Sequence, residues 1–288
     1  DLILLAPALI ALIAGLVIHS FIIGVNVTNW WKGRSVTPVD HIITSLGVSR
    51  MFAQCIVTVF SIVISLLSSL DSNVTLAIGT VYVFFNFTNF WLTSLLSIVF
   101  CLKISNFHSR LFLYLRGMIA HRTVYFIAGS VLLSVLNCLM PVFIAIIDEI
   151  RGGTYNTTRP DQCMDNNNNI TVYSYTIGMS IPLIFYIICS VLLFTSLYHH
   201  TTKMKMSRNL SINLETYYSV MKFVFFTFMY NTLYFFGHFL SIIFYFFYCM
   251  RIDWLYIVLE FLPVLHSFYL IYRTAKLRSQ MSKVFQNV

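Results

Sequence analysis

Three charged side chains fall in or beside apolar sequence, and they are the first candidates for chemistry. Asp40, Arg50 and Glu260 lie among hydrophobic residues in a chain of 288 residues, of which only 10% are charged. A charge in a lipid-like environment is costly unless it is paired or hydrated. We therefore expect Arg50 to donate to carbonyls or hydroxyls of neighbouring helices, either as a fixed hub or as part of a switch. Glu260 is a candidate functional carboxylate, and pairing with Arg50 is one arrangement open to it.

The sequence contains no motif that would make it an enzyme. HExxH, GxSxG, a Walker loop and the Rossmann glycine pattern are all absent. His199 and His200 are adjacent and point in different helical directions, which favours helix capping or partner contact over metal binding. We predict neither catalytic activity nor a bound metal or cofactor.

Long apolar runs must position these side chains, because hydrophobic residues make up 58% of the chain. Seven runs reach the roughly 20 residues that span a bilayer as a helix, and their continuity favours helices over barrel strands. They cover about 2–29, 42–70, 76–102, 123–147, 177–197, 223–248 and 254–272. The sequence thus predicts an all-α membrane protein, a single seven-helix bundle over 1–288. The first run is longer than a cleaved signal peptide, so we expect it to be retained, with a few residues before it.

The distribution of Lys and Arg predicts the orientation of the bundle. Most basic residues follow the first, third, fifth and seventh runs: Lys32 and Arg34; Lys103, Arg110, Arg116 and Arg122; Lys203, Lys205, Arg208 and Lys222; Arg273, Lys276, Arg278 and Lys283. The other connections hold few bases and most of the acids. We predict that the N-terminus lies outside and that the tail 273–288 is cytosolic. The net charge of +8 is then a signal of topology and does not indicate nucleic-acid binding.

The segment 148–174 is the longest predicted outer connection. It is polar and contains two glycosylation sequons, at Asn156 and Asn169, that the topology leaves accessible. Cys163 and Cys249 are both predicted to lie on the outer, oxidising side. The sequence leaves open whether they form a disulfide bond, and their spacing does not support one.

Polar and aromatic residues in the third run suggest a pocket. Tyr82 and Asn86 are four residues apart and share a helical face. They would line a water-accessible pocket or hydrogen-bond across helices, and their spacing does not separate these readings. In the seventh run, Pro263 followed by His266 and Ser267 predicts a bend whose freed backbone groups find other partners.

A basic, aromatic segment, 100–118, follows the third run and is predicted to face the cytosol. Its Lys and Arg residues suit anionic lipid headgroups or a protein partner. A transporter would show internal repeats and a channel would show pore-lining polar periodicity. The sequence shows neither pattern.

Specific residues make the chain resemble the type 2 (bitter) taste receptors, a family of G-protein-coupled receptors. LKISNFHSRLFLYLR, residues 102–116, is similar to the family pattern LKIANF followed by FLYLK. The likeness continues with Trp30-x-Lys32-x-Arg34, Leu46-Gly47-Val48-Ser49-Arg50, Trp91, Ser196-Leu197-x-x-His200 and His266-Ser267-x-x-Leu270, in the right order. Two departures are His19 and Thr274, where the family usually has Asn, and they bear on the hydrogen-bond network of helices one, two and seven.

The resemblance implies a plasma-membrane receptor that binds small bitter molecules in the outer half of helices three, five, six and seven. It also implies that the receptor activates a heterotrimeric G protein of the gustducin or Gi type. With the candidates above, the expected ligand-binding residues are Tyr82, Asn86, Phe87, Tyr230, Tyr256 and Glu260. The expected coupling residues are Lys103, Asn106, Phe107, Arg110, Tyr114, Arg116, His200 and Lys203. The expected structural or switch residues are Arg50, Trp91, Pro182, His266 and Ser267. A vomeronasal-type receptor and, less favoured, a seven-span transporter are the alternatives.

Overall fold

The computed structural model describes residues 2–66, 72–105, 110–150, 166–206, 211–248, 250 and 252–286. The described residues are almost all helical. The helices are α1 (Leu2–Trp31), α2 (Pro38–Leu66), α3 (Ser72–Ile104), α4 (Arg110–Ile150), α5 (Asn166–Met206), α6 (Ser211–Tyr248), α7 (Asp253–Arg273) and α8 (Ala275–Gln286). Asn106, Phe107, Asn156, Cys163 and Cys249, all named in the sequence analysis, lie outside the described residues.

Seven of these helices, α1 to α7, are long and apolar enough to cross a membrane. This confirms the predicted all-α, seven-span class. Three helix starts differ from the expectation: α4 begins at Arg110, α5 at Asn166, inside the predicted outer connection 148–174, and α6 at Ser211. α4 also kinks at Arg122, where φ is −122° and ψ is 24°. The span predicted from residue 123 is therefore preceded by a helical segment.

The turn between α1 and α2 is fixed by both helix ends. Gly33 has φ 65°, and the N–H groups of Gly33 and Arg34 bond to the carbonyls of Trp30 and Asn29, which is a Schellman motif. Thr37 and Asp40 then form a capping box: the Asp40 N–H bonds to Thr37 Oγ1 and the Thr37 N–H to Asp40 Oδ2. These caps make α1 and α2 adjacent antiparallel helices.

α3 is the central helix of the bundle. Of the residues in its most apolar 18-residue stretch, 72% are buried, against 50% or less in the same kind of stretch in the other six spans. Two apolar clusters pack along it. The first includes Ile42, Leu95, Val99, Ile271 and Leu277, and it joins α3 to α2, α7 and α8. The second includes Phe87, Phe90, Tyr186, Phe235 and Leu259, and it joins α3 to α5, α6 and α7. The polar site described next lies beside the second cluster.

Candidate functional site

A small polar cavity lies where α2, α3, α6 and α7 meet. Its lining residues are Arg50, Ala53, Gln54, Val57, Tyr82, Asn86, Asn89, Tyr234, His238, Leu259, Glu260 and Pro263. Its volume is about 20 Å³, which is room for roughly one water molecule. Drug-sized ligands occupy sites of about 300–1,000 Å³, so an organic ligand would have to move these helices apart. We call this site the polar cavity.

Arg50 links α2 to α7 at the edge of the polar cavity. Its side chain is buried, and Nη1 lies 2.9 Å from His266 Nδ1 and donates to Ser267 Oγ at 2.9 Å. A guanidinium has no acceptor, so His266 Nδ1 accepts and the proton of a neutral ring is on Nε2. The contact to a hydroxyl is of the type expected for Arg50. Its part in a switch stays a prediction.

Three further hydrogen bonds connect the helices around the polar cavity. Gln54 Nε2 donates to the Glu260 carbonyl at 2.9 Å, joining α2 to α7. Tyr234 Oη donates to Asn86 Oδ1 at 3.1 Å, joining α6 to α3. Ser49 Oγ donates to the Phe85 carbonyl at 3.1 Å, joining α2 to α3. A change in the polar cavity therefore bears on four helices together.

His19 of α1 is also fully buried, but neither of its ring nitrogens has a hydrogen-bond partner within the described part of the chain. The second departure, Thr274, ends α7 in an extended conformation, and its N–H bonds to the Leu270 carbonyl. The bonds made by Arg50 therefore join α2 to α7, and His19 adds none from α1.

The structure brings some of the expected ligand-binding residues together and separates others. Tyr82, Asn86 and Glu260 line the polar cavity. Phe87 is buried in the apolar core and stacks on Tyr175, with ring centroids 5.8 Å apart. Tyr230 and Tyr256 are half-buried and do not line it.

Sequence reasoning did not include four of the polar lining residues among the expected site residues: Gln54, Asn89, Tyr234 and His238. A signal for the last two was present, because Tyr234 and His238 are four apart and share a face of α6. Their rings are in edge contact, with centroids 4.6 Å apart. The pair was not recognised because α6 contains many other aromatic residues.

Two of the expected structural residues lie at the contact of α3 with α5 or near it. The Pro182 carbonyl accepts from Ser94 Oγ at 2.6 Å, which ties α5 to α3. Trp91 is half-buried, and its Nε1 has no hydrogen-bond partner among the described residues. The roles of both residues stay predictions.

The expected coupling residues that the structure describes lie at the end of the bundle that carries most of the Lys and Arg. We call this the basic end; it is marked by Lys32, Lys103, Arg110, Lys203 and Arg273. Lys103, Arg110, Tyr114 and Lys203 are exposed there, and His200 is half-buried. Asn106 and Phe107 fall outside the described residues.

Arg116 differs from its exposed neighbours because it is tied to the end of α3. Its Nε donates to the Leu102 carbonyl at 2.6 Å and its Nη2 to the Ser105 carbonyl at 2.7 Å. The last carbonyls of a helix have no partner within the helix, and basic side chains commonly cap them. In this structure Arg116 therefore holds the helical segment after residue 110 against α3.

Lys276 links α8 to α1 and α2 at the basic end. Its Nζ lies 3.1 Å from Asp40 Oδ2 and 3.2 Å from Asn26 Oδ1. Asn26 Nδ2 in turn donates to Thr44 Oγ1 at 3.0 Å. Asp40 is therefore a capping residue and an ion-pair partner, away from the polar cavity.

Comparison with known proteins places this arrangement in a family. The family model described as taste receptor protein (TAS2R) matches residues 1–288. The chain is 30% identical over 193 residues to human taste receptor type 2 member 16, an alignment that covers 64% of each chain. It is 29% identical over 199 residues to mouse member 41, covering 66% of this chain and 64% of the relative. It is 28% identical over 224 residues to rat member 104, covering 76% and 74%.

The alignments thus span a little less than two thirds of the first of these relatives, whereas the family match runs the whole length of the sequence. The seven candidate spans of the structure and the match over the whole sequence agree with each other. The chain belongs to the taste receptor protein family, TAS2R.

Proposed function

We propose that this chain is a bitter taste receptor of the plasma membrane. It binds small bitter molecules among α2, α3, α6 and α7 and activates a heterotrimeric G protein of the gustducin or Gi type at its basic end, which faces the cytosol. Family membership supports the general class. The observation that carries the proposal is the polar cavity, where buried polar side chains of four helices meet.

The size of the polar cavity indicates how binding becomes a signal. At about 20 Å³ the cavity in this conformation does not admit an organic molecule. An agonist therefore binds a second arrangement, in which α6 has moved away from α3. The Tyr234–Asn86 bond is the contact that such a movement breaks. An agonist that prefers the second arrangement shifts the population towards it, in proportion to its difference in affinity for the two.

The exposed cations of the basic end support the second half of the proposal. Lys103, Arg110 and Lys203 extend from α3, α4 and α5, and Tyr114 adds an exposed ring. Such a surface suits an acidic protein partner. The same cations also attract anionic lipid headgroups, and the two roles are compatible.

The test is agonist-triggered G-protein activation in cells that express the receptor with an epitope tag. A broad panel of bitter compounds is applied, and signal is normalised to receptor detected at the surface. We expect at least one compound to give a saturable response that is lost in cells without the receptor. Silence across the panel with normal surface expression would refute the proposal.

A further inference from the structure

The last residue of α7 reaches across to α6 at the basic end. Arg273 Nη2 donates to the Ser219 carbonyl at 2.6 Å. A short hydrogen bond from a charged donor is stronger than a neutral one. Arg273 is half-buried in this contact, whereas the neighbouring bases Lys222 of α6 and Arg278 of α8 are exposed.

An aromatic contact reinforces this bond one turn further along α6. The guanidinium carbon of Arg273 lies 5.9 Å from the centroid of the Phe223 ring, within the range of a cation–π interaction. Phe223 stacks on Tyr269 of α7 at 5.6 Å and meets Phe100 of α3 edge-on at 6.1 Å. Phe223 therefore sits between α3 and α7, with Arg273 over its face.

α6 also carries Tyr234, whose hydroxyl bonds to Asn86 in the polar cavity. Ser219 and Tyr234 are both within one continuous helix, Ser211–Tyr248. At 1.5 Å per residue they are about 22 Å apart along its axis. A rigid-body movement of α6 at the polar cavity would therefore also displace Ser219 relative to Arg273.

We propose that Arg273 is a latch: its bond to Ser219 and its contact with Phe223 hold the basic end of α6 against α7 and so restrain basal activity. Opening α6 requires the guanidinium to release the Ser219 carbonyl and Phe223 to leave its place between Tyr269 and Phe100. The inference rests on the proposed function, because the contact restrains signalling only if the basic end of α6 helps to form the G-protein site.

The first measurement is basal and agonist-stimulated G-protein activation of Arg273→Met, normalised to surface expression. Met keeps an unbranched side chain and removes every donor. We expect basal activity to rise about tenfold and the agonist dose–response curve to move to lower concentrations, because a lost charge-assisted bond shifts a two-state equilibrium by that order. If Arg273 had a merely structural role, its loss would lower basal and agonist-stimulated activation together.

Two variants control for charge. Arg273→Lys keeps a donor and a cation near Phe223, so its basal activity should stay close to that of the parent. Arg278→Ala removes an exposed base from α8 and should leave basal activity unchanged. Equal basal activity in the parent and in Arg273→Met, at equal surface expression, would overturn the latch.

A distance measurement separates failure of the latch from failure of the proposed function. Spin labels are placed at the exposed positions Lys222→Cys and Ser279→Cys of a purified receptor whose reactive native cysteines are replaced, with no agonist and no G protein. We expect Arg273→Met to give longer and broader label distances than the parent. Unchanged distances overturn the latch. Longer distances in a receptor that activates no G protein would show that Arg273 holds α6 against α7, and would refute the proposed function.

Discussion

At the scale of single residues, Arg50 shows how much of a side chain's environment its residue type alone can predict. A buried Arg among apolar residues predicts a hydroxyl or carbonyl partner, and Ser267 supplies the hydroxyl. Its other partner, His266, is 216 positions away in sequence, so pairing the two requires knowing that α2 lies beside α7. Tyr82, Asn86 and Glu260 were found by the same reasoning about polar groups in apolar helices. Gln54 was missed because a lone amide gives no such signal, and His238 was missed because its pairing with Tyr234 was one of many aromatic spacings in α6.

Asn86→Ala should lower agonist potency by about tenfold while surface expression is kept, because the polar contact that a buried ligand loses outweighs the loss of the Tyr234 bond in the resting arrangement. The measurement is an agonist dose–response curve. Thr88→Ala is the matched control, since the Thr88 hydroxyl bonds to the Phe84 carbonyl of its own helix. A potency loss equal in both variants would place the pocket elsewhere.

Tyr234→Phe tests the same contact from α6, because it removes the hydroxyl that donates to Asn86 and keeps the ring. If the bond stabilises the resting arrangement, Tyr234→Phe should raise basal activity several-fold. Adding it to Asn86→Ala should raise basal activity no further, because the two side chains share one bond. Additive effects would mean that they act separately.

At the scale of helices, apolar runs predicted every span, but they could not find the polar first parts of α4, α5 and α6. Residues 110–121 are basic and aromatic, without the uninterrupted apolar length on which a span is recognised, and the Arg116 bonds to α3 are long-range contacts. The turn between α1 and α2 was predictable in kind, because Gly33, Pro38 and the Thr37–Asp40 pair are helix-end signals.

Gly15→Ala should weaken the contact of α1 with α2. A Cβ there would lie against the Gln54 amide, 2.8 Å from its Cδ, and that amide is held by its bond to the Glu260 carbonyl. We expect a lower thermal midpoint for the purified receptor, equivalent to a loss of about 1–3 kcal/mol. Gly24→Ala is the control on the same helix, because its Cβ would meet nothing within 4 Å. Equal midpoints for the two variants would contradict the close approach at Gly15.

Arg116→Ala and Arg110→Ala should both weaken G-protein activation, for different reasons. Arg110 is exposed, so its loss should also reduce the dependence of activation on ionic strength, as expected for a charge that meets a partner. Arg116 is tied to α3, so its loss should leave that dependence unchanged.

Hydrogen exchange provides the second readout for Arg116. Loss of Arg116 should speed exchange near residues 100–105, because the end of α3 loses its cap, whereas loss of Arg110 should not. Agonist binding should survive in both variants. The same loss of salt dependence in both would mean that Arg116 also meets the partner directly.

At the scale of the whole molecule, orientation is the feature on which the proposed function most depends. The distribution of Lys and Arg predicts that the basic end is cytosolic. The polar cavity and the basic end are separated along α6 by many turns, so one molecule can present a ligand site and a partner site on opposite sides of a membrane.

Glycan mapping tests the orientation. Asn156→Gln and Asn169→Gln should each lower the apparent mass of the receptor made in mammalian cells, and enzymatic removal of glycans should abolish the difference. Asn209 carries a sequon on the predicted cytosolic side, so Asn209→Gln should change nothing. If a glycan were lost only in Asn209→Gln, the predicted orientation in the membrane would be wrong.

The Lys276 contact has a consequence for how the receptor is made. Asn26 is synthesised 250 residues before the Lys276 amine that binds it. Until that amine arrives, the Asp40 carboxylate beside the membrane has its local cap but lacks its cation. The pair therefore closes only when the last span and α8 have both emerged. A ribosome-bound or truncated chain that ends before residue 276 would keep this carboxylate without its Lys276 partner, so the first turn of α2 gains its ion pair only in the finished receptor.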